Sequence, residues 1–395
     1  MIGPVNEEVL RVALAKRDEI LRKLAALKDE SLTEAVREWW VSYDPRPNTP
    51  KSVGGVDGGQ AVQEFQGFTV YAVSAASIIY ELSSGSWLPK TLVLADVDVL
   101  TPPSVSVRVS LYRETLEAKA GALAALSGVK LLLMDGSLRS VIIEPRPRGE
   151  GGGVTFDRAL QLMRRFFGGD IAESLIEAVE AGLKDQDSLR RSPLAAGKVL
   201  RLERVPPRHR LDVATAAEYV EKLASYRALL KLACEEVELA YVSKRSRTSN
   251  YFVRLRREKL LPSDIMMFQH LTSEPGFSKP ILPEERRVLK HVPGVGGFKE
   301  FFSSLKVWVT YVRLVEGGPV LRVEIPVLGD TPLSEGRVKS LLDMMAGVSA
   351  DGYPYPLHEA DKVVRVPRST LSIIVNSLGL QPYLSGREVL EEWLR

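Results

Sequence analysis

The chain has 395 residues and a mass of 43.7 kDa, which is enough for two domains or for one domain with large insertions. Its 53 Lys and Arg residues nearly balance 50 Asp and Glu residues, so net charge alone does not indicate a nucleic-acid-binding protein. No apolar run approaches the ~20 residues of a membrane-spanning helix, and residues 1–10 lack the pattern of a signal peptide. The single cysteine, Cys234, excludes a disulfide framework, and we expect an intracellular, cytoplasmic protein with no membrane association.

The composition is poor in side-chain amides. The chain has only 4 Asn and 7 Gln residues, and its charged residues are rich in Arg and Glu. This bias is typical of proteins from hot habitats, where amides deamidate and charged groups form ion-pair networks. We therefore hypothesise a thermophilic source.

The N-terminal segment is predicted to be helical. Residues 4–40 place apolar side chains such as Val9, Val12 and Leu21 at helical spacing, and a proline-rich linker follows. The apolar stripe either packs on its own domain or forms a partner surface. The predicted divisions are an N-terminal helical arm over residues 1–50, a main domain over 51–385 and a C-terminal helix or tail over 386–395. The main domain is predicted to contain a helical insertion at about 150–235.

From Ser52 the pattern changes to strands. A short strand interrupted by glycines and two β-branched runs are followed by a helix and a buried strand. This strand–strand–strand–helix–strand order predicts an α/β fold with a mixed sheet. The predicted elements that begin the domain cover residues 52–59, 67–82, 90–100, 110–128 and 129–138. Two helical regions follow at 155–184 and 211–239, and a strand follows at 237–246. A hairpin is predicted from 307–314 and 320–328, and two more helices at 332–349 and 366–380.

Three acids occupy positions that such a fold would bring together. Asp57 lies within the first strand, Glu114 in the first turns of the helix, and Asp135 at the end of the fourth strand. Carboxylates ~4 Å apart repel by roughly 4 kcal/mol per pair at an effective dielectric constant of ~20, unless protons or cations compensate. Oxygen ligands suit Mg²⁺ or Mn²⁺, and two such ions would support phosphodiester hydrolysis.

Each acid also has a purely structural explanation. Asp57 precedes a glycine as in a hairpin turn, Asp135 precedes Gly and Ser as at a strand end, and Glu114 suits the helix dipole. Taken together, the three positions favour a metal site. Glu117, one turn from Glu114, is a substitute or supporting ligand.

A basic segment covers residues 241–260. It holds seven Lys or Arg residues against one acid, with three aromatic residues interleaved. Cations that neutralise phosphates and rings that stack on bases are what a single-strand path requires, although a solvated basic face has the same composition. Lys244 is also placed to hold a scissile phosphate or to orient a water molecule. The candidate DNA-binding residues are Tyr241, Lys244, Arg245, Arg247, Arg254, Arg256 and Arg257.

A proline-rich turn at residues 353–356 precedes His358 and Asp361. An acid here would complete a four-ligand nuclease centre, which makes Asp361 the candidate fourth ligand, and His358 is a candidate proton shuttle. A helix-capping acid beside a surface histidine is the equally weighted alternative. No phosphate-binding loop of the G-x-x-x-x-G-K-[ST] type and no G-x-S-x-G nucleophile is present, which disfavours an ATP-driven motor and a serine hydrolase.

In its motifs and their order, the chain resembles the NurA nucleases of archaea and some bacteria. The resemblance runs from about residue 50 to residue 380 and is carried by VGGVDGG, RETLE, LLLMDGSL, AYVSK and YPYPL…AD. It implies an RNase H-like core in a homodimer, Mn²⁺-dependent 5′→3′ exonuclease activity with single-strand endonuclease activity, and Mg²⁺ as a possible substitute. It also implies a partner, the hexameric ATPase and DNA translocase HerA, in end resection for double-strand-break repair.

Residue by residue, the resemblance assigns Asp57, Glu114 and Asp135 as metal ligands. Tyr241 and Lys244 fall in the later strand motif. Many members have a His near the position of Asp361, so this chain departs from the pattern, and either Asp361 or His358 completes the site.

The sequence therefore predicts a two-metal-ion deoxyribonuclease. Two alternatives remain open, a non-catalytic RNase H-like DNA clamp or adaptor and a structure-selective endonuclease.

Overall fold

A nine-stranded sheet forms the centre of the computed structural model, which describes residues 4–25, 30–83, 86–142, 156–167, 171–253, 263–283 and 292–380. Its strands, in chain order, are β1 (Trp40–Ser42), β2 (Ser52–Glu64), β3 (Thr69–Ser83), β4 (Ser86–Leu100), β5 (Leu131–Asp135), β6 (Glu238–Ser243), β7 (Gly276–Ser278), β8 (Leu305–Arg313) and β9 (Val320–Leu328). They lie side by side in the order β1-β7-β8-β9-β6-β5-β2-β3-β4. A separate two-stranded hairpin is formed by β10 (Ser349–Ala350) and β11 (Tyr353–Pro354).

The sheet is mixed. Strand β2 pairs antiparallel with β3, which pairs antiparallel with β4, whereas β2, β5 and β6 are parallel neighbours. Strand β9 then pairs antiparallel with β6 and with β8. The strand–strand–strand–helix–strand order and the late hairpin are confirmed, and β1 and β7 were not predicted.

Helices cover both faces of the sheet. In chain order they are α1 (Pro4–Ala15), α2 (Arg17–Ala25), α3 (Glu30–Trp39), α4 (Val105–Leu126), α5 (Leu138–Val141), α6 (Phe156–Phe167), α7 (Ile171–Lys184), α8 (Gln186–Arg191), α9 (Ala196–Val199), α10 (Pro207–Glu236), α11 (Asp264–Leu271), α12 (Phe298–Ser304), α13 (Glu335–Gly347), α14 (Tyr355–Val364) and α15 (Arg368–Ser377). The predicted helix over 155–184 is two helices, and α14 begins within the predicted proline-rich turn.

The two faces of β2 are packed against different helices because successive side chains point to opposite sides of a strand. Val56 belongs to the large core shared with α4, α7 and α10, whereas Val53 belongs to the core shared with α13 and α14. Gly55 and Gly59 face α14, and a Cβ at Gly59 would lie 1.8 Å from the Val364 carbonyl oxygen. The missing side chains therefore let α14 lie directly on β2.

The N-terminal segment differs from the predicted arm. Helix α3 packs through Leu32 and Val36 against Phe268 of α11, and β1 joins the sheet by pairing with β7. Helices α1 and α2 instead expose their apolar residues, including Val9, which is 62% exposed. The segment thus divides between an exposed helical part and a part built into the main fold.

Within the described ranges, no helix combines the length and apolarity needed to cross a membrane. The predicted C-terminal helix or tail over residues 386–395 lies outside the described residues.

Candidate metal centre and nucleic-acid interface

Asp57 and Asp135 lie next to each other on parallel strands. The β2–β5 register pairs Val56 with Met134, so the next positions along both strands are the two aspartates. Strand alternation places Asp57 on the same face as Gly55, the face covered by α14. The register of these two strands therefore places the two acids side by side on one face of the sheet.

The Asp57 carboxylate is buried beside other acids. Burial, followed by the charge of Asp135, raises the pKa of Asp57 to about 7, and Asp361 adds to the rise. A hydrogen bond donated by the Gly58 backbone N–H, 2.7 Å from Oδ1, and the charge of Lys244 oppose it. A group with this pKa readily exchanges its proton for a cation near neutral pH.

Asp135 has two stabilising neighbours. Burial raises the pKa of Asp135, while Lys244, whose Nζ lies 3.8 Å from Oδ1, lowers it. The Tyr353 hydroxyl donates a 3.4 Å hydrogen bond to the same oxygen, and Lys244 also lies 4.8 Å from the centre of the Tyr353 ring. Sequence reasoning missed Tyr353, since its place in the YPYP turn gave no sign of a contact with β5.

Helix α4 supplies two acids with different surroundings. Glu114 lies in the middle of the helix rather than in its first turns, and its carboxylate is 3.1 Å from Lys222 Nζ and 3.7 Å from an Arg113 nitrogen. Glu117 lies against β2, because Gly58 has no side chain and a Cβ there would be 2.2 Å from Glu117 Oε1. Burial raises the pKa of Glu117 to about 8 against the lowering effect of Arg113, with added repulsion from Glu114 and Asp57.

Helix α14 brings Asp361 toward the two aspartates. Its charge contributes to the raised pKa of both Asp57 and Asp135, and its carboxylate is ion-paired with Arg365. His358 is exposed one turn earlier, with its ring centre 6.4 Å from that of Tyr355.

The donor set fits a hard divalent cation. Asp57, Asp135 and Glu117 are carboxylates whose burial and mutual repulsion an ion would compensate, and oxygen donors are those that Mg²⁺ and Mn²⁺ prefer. Among the described residues, no three His, Cys, Asp or Glu side chains already stand in a metal-ligand arrangement. Binding an ion would therefore require these carboxylates to converge further.

The turn that follows Asp135 is anchored to strand β9. Glu324 of β9 is fully buried and accepts hydrogen bonds from the Ser137 hydroxyl at 2.7 Å and from the Arg139 backbone N–H at 3.1 Å. Arg322 is its buried ion-pair partner. The alternating pair Arg322 and Glu324, the two charged residues of the run VLRVEIPVL, was the sequence signal for this anchor.

The basic segment is only partly described. Lys244, Arg245 and Arg247 are exposed just after the end of β6, and Lys244 lies next to Asp135. The other three predicted DNA-binding residues lie outside the described residues; they are Arg254, Arg256 and Arg257.

The predicted aromatic contacts to DNA are wrong for the described conformation. Tyr241 is 2% exposed and packs in the large core, because β6 is a central strand buried on both faces. Tyr251 and Phe252 are also buried, in an aromatic cluster with Phe268 and Tyr311. The continuous apolar run over 239–242 was the available sign of a two-sided strand.

The fold and the site together define a mixed α/β protein with an acidic cluster where β5 ends beside the middle of its parallel neighbour β2. The model of the NurA domain matches residues 51–366, and the chain belongs to the NurA family.

Similar proteins cover nearly the whole chain. The Methanocaldococcus jannaschii protein named "Probable DNA double-strand break repair nuclease NurA" is 25% identical over 386 residues, covering 94% of this chain and 89% of that protein. The Sulfurisphaera tokodaii protein named "DNA double-strand break repair nuclease NurA" is 22% identical over 377 residues, covering 94% and 95%.

Solved structures share the fold. The NurA nuclease from Sulfolobus solfataricus superimposes with a TM-score of 0.65 at 24% identity, covering 95% of this chain and 96% of that one. A crystal structure described as NurA bound to dAMP and manganese gives a TM-score of 0.64 at 18% identity, covering 98% and 99%.

Proposed function

We propose that this chain is a divalent-metal-dependent DNA nuclease. The observation that carries the proposal is the pair of carboxylates of the buried Asp57 and the half-buried Asp135, placed side by side on parallel strands with Lys244 next to Asp135. The names of its relatives and the manganese-bound NurA structure support the same assignment.

We assign the chain's own residues as follows. Asp57 and Asp135 would hold Mn²⁺ or Mg²⁺ together with Asp361 and an acid of α4. Bound ions of this kind generate a nucleophilic water and stabilise the departing oxygen of a phosphodiester. Lys244 would contact the scissile phosphate, since its side chain is 43% exposed and its ammonium group lies near both Asp135 and the Tyr353 ring.

The strand order supports a particular core fold, the family resemblance supports the polarity of cleavage, and exposed surfaces support two protein partners. The order β4-β3-β2-β5-β6, with α4 between β4 and β5, supports an RNase H-like core. We propose 5′→3′ exonuclease activity with single-strand endonuclease activity in end resection, as in the family. The exposed apolar row of β4, including Val93, Val97 and Val99, supports a homodimer, and the exposed apolar residues of α1 and α2 support a HerA-type translocase as partner.

The experiment is cleavage of end-labelled single- and double-stranded DNA with Mn²⁺ or with chelator. We expect Asp57→Asn to lower the rate by at least ~10–100-fold, the cost of losing even a group that supports a metal ligand, while DNA binding persists because the fold is kept. Asp98→Asn, which changes an exposed acid of β4, is the matched control and should cleave normally. Equal rates in both variants would contradict the proposed site.

Wild-type behaviour separates the alternatives. DNA that is bound but not cut with Mn²⁺ would support a non-catalytic clamp, and cleavage confined to junctions or hairpins would support a structure-selective endonuclease.

Comparing the Mn²⁺ affinities of two variants identifies which acid of α4 binds the ion. The charge interactions of Glu117 with Asp57 and Asp135 favour Glu117, whereas the family resemblance favours Glu114, whose carboxylate is held by Lys222. If Glu117 holds the ion, Glu117→Gln lowers Mn²⁺ affinity and Glu114→Gln does not. The reverse result would assign Glu114.

The basic residues after β6 are tested by salt dependence. Each phosphate contact contributes ~0.7 to the slope of log affinity against log salt for single strands. Removing both Arg245 and Arg247 should therefore flatten the slope by ~1.4. The control pair Arg190 and Arg191, exposed on α8, should leave it unchanged, and an unaltered slope in both pairs would remove this segment from the DNA path.

A further inference from the structure

An aromatic cavity of about 280 Å³ lies between the β3–β4 hairpin and the start of α14. Tyr80 and Trp87 of the hairpin and Tyr355 of α14 form its aromatic walls. The Tyr80 ring centre is 6.3 Å from that of Trp87 and 5.9 Å from that of Tyr355. None of the residues that line this cavity is charged.

The cavity shares two elements with the candidate metal centre. Val53 lines the cavity and Asp57 lies four positions further along the same strand, which is ~13 Å at the rise of a β-strand. On α14, Tyr355, His358 and Asp361 follow each other at intervals of three residues, so each neighbours the next on the helix surface. A chain of surface side chains therefore joins the cavity to the acids.

We infer that this cavity binds one unstacked nucleobase of a DNA strand whose backbone crosses α14 from the metal centre. The inference rests on the proposed nuclease function and adds a base-binding subsite to it. Aromatic rings stack on every base, so the subsite is indifferent to sequence. Its uncharged lining suits a base and not a phosphate, and its volume, just below the usual range for ligand pockets, suits one small planar group.

The rings are open to an incoming base. Trp87 is 37% exposed and Tyr355 is 45% exposed, whereas Tyr80 forms the deeper wall between them. A stacked base would cover these faces and leave its phosphate at the exposed His358.

The test is an abasic scan with the full-length protein. Single-stranded oligonucleotides that lack one base, at successive positions from the end, are titrated by fluorescence anisotropy in chelator, and cleavage is then measured with Mn²⁺. Wild type should show one position at which the missing base weakens binding, within the roughly 5- to 140-fold range of a lost base–aromatic stack. Tyr355→Ala should abolish this dependence and Tyr355→Phe, which keeps the ring, should retain it.

Leu88→Ala is the matched control. Leu88 follows Trp87 in β4 but points to the opposite face of the sheet, so this variant should keep the wild-type scan. A flat scan in a wild-type protein that cleaves DNA would overturn the subsite alone. A wild type that neither binds nor cleaves DNA would overturn the proposed function and the subsite together.

A second copy of the chain is the rival occupant. If Tyr355→Ala shifts the monomer–dimer equilibrium in sedimentation and weakens binding equally at every position, the cavity is an interface between copies and the inference is wrong.

Discussion

Gly55→Ala tests whether the close packing of α14 on β2 is needed for the candidate centre. An added Cβ would lie 2.3 Å from the Pro356 carbonyl carbon and 2.7 Å from the Leu357 nitrogen. These atoms belong to the helix backbone, so no side-chain rotation relieves the overlap. Reaching an ordinary contact distance of ~3.4 Å requires β2 and α14 to separate by roughly 1 Å.

The separation has two expected consequences. Overpacking of this kind costs about 1–3 kcal/mol of unfolding free energy. Asp361 also moves with α14 away from Asp57, and a misplacement of ~1 Å at a reacting centre can cost ~10²-fold in rate. We therefore expect a large loss of Mn²⁺-dependent cleavage in a protein that still folds.

The assay pairs DNA cleavage with urea unfolding of the same preparations. Gly67→Ala is the control, because a Cβ at Gly67 meets no atom within 4 Å and the glycine has no positive φ. It should leave the cleavage rate unchanged and the unfolding free energy within about 0.5 kcal/mol of wild type. Wild-type cleavage by Gly55→Ala, with normal stability, would refute the link between helix packing and the site.

Three further predictions follow from the buried charges. Mn²⁺ affinity, measured by calorimetry, should rise from pH 6 to pH 8, because the ion must displace protons from Asp57 and Glu117, whose pKa values are about 7 and 8. Without metal, the unfolding free energy should fall as pH rises from ~4 through 7, since the folded state binds more protons than the unfolded state; in Asp57→Asn this fall should be smaller. Glu324→Gln should cost about 3–5 kcal/mol in urea unfolding, because the Arg322 guanidinium is left buried without its counter-charge, whereas the exposed Glu335→Gln should cost less than about 1 kcal/mol. An Mn²⁺ affinity that does not change with pH would contradict the first prediction, and an equal fall of unfolding free energy in wild type and Asp57→Asn would contradict the second. Equal costs in the two glutamate variants would contradict the third.

The local sequence predicted the elements that begin the sheet. The signals for these elements are β-branched runs, Gly and Pro boundaries and helical spacing, which depend only on short stretches of chain. The order of β2, β3, β4, α4 and β5 could therefore be predicted from the sequence. The position of Asp135 at a strand end was accessible for the same reason.

The local sequence could not show whether Glu114 or Glu117 of α4 lies against β2. Residues 115–125 of this helix are all buried, so no apolar stripe distinguishes the face toward β2 from the face toward α10. Glu117 contacts β2 only because Gly58 leaves room, and Glu114 is drawn to Lys222 of a helix far along the chain.

By itself the sequence determined the sheet-forming runs, the acids Asp57 and Asp135, and membership of a family carried by ordered motifs. Only the tertiary structure decided that Tyr241 is buried, that Tyr353 contacts Asp135, and how α14 approaches β2. The physical reason is that periodicity reports the conformation of neighbouring residues, whereas burial and side-chain contacts depend on how distant elements pack.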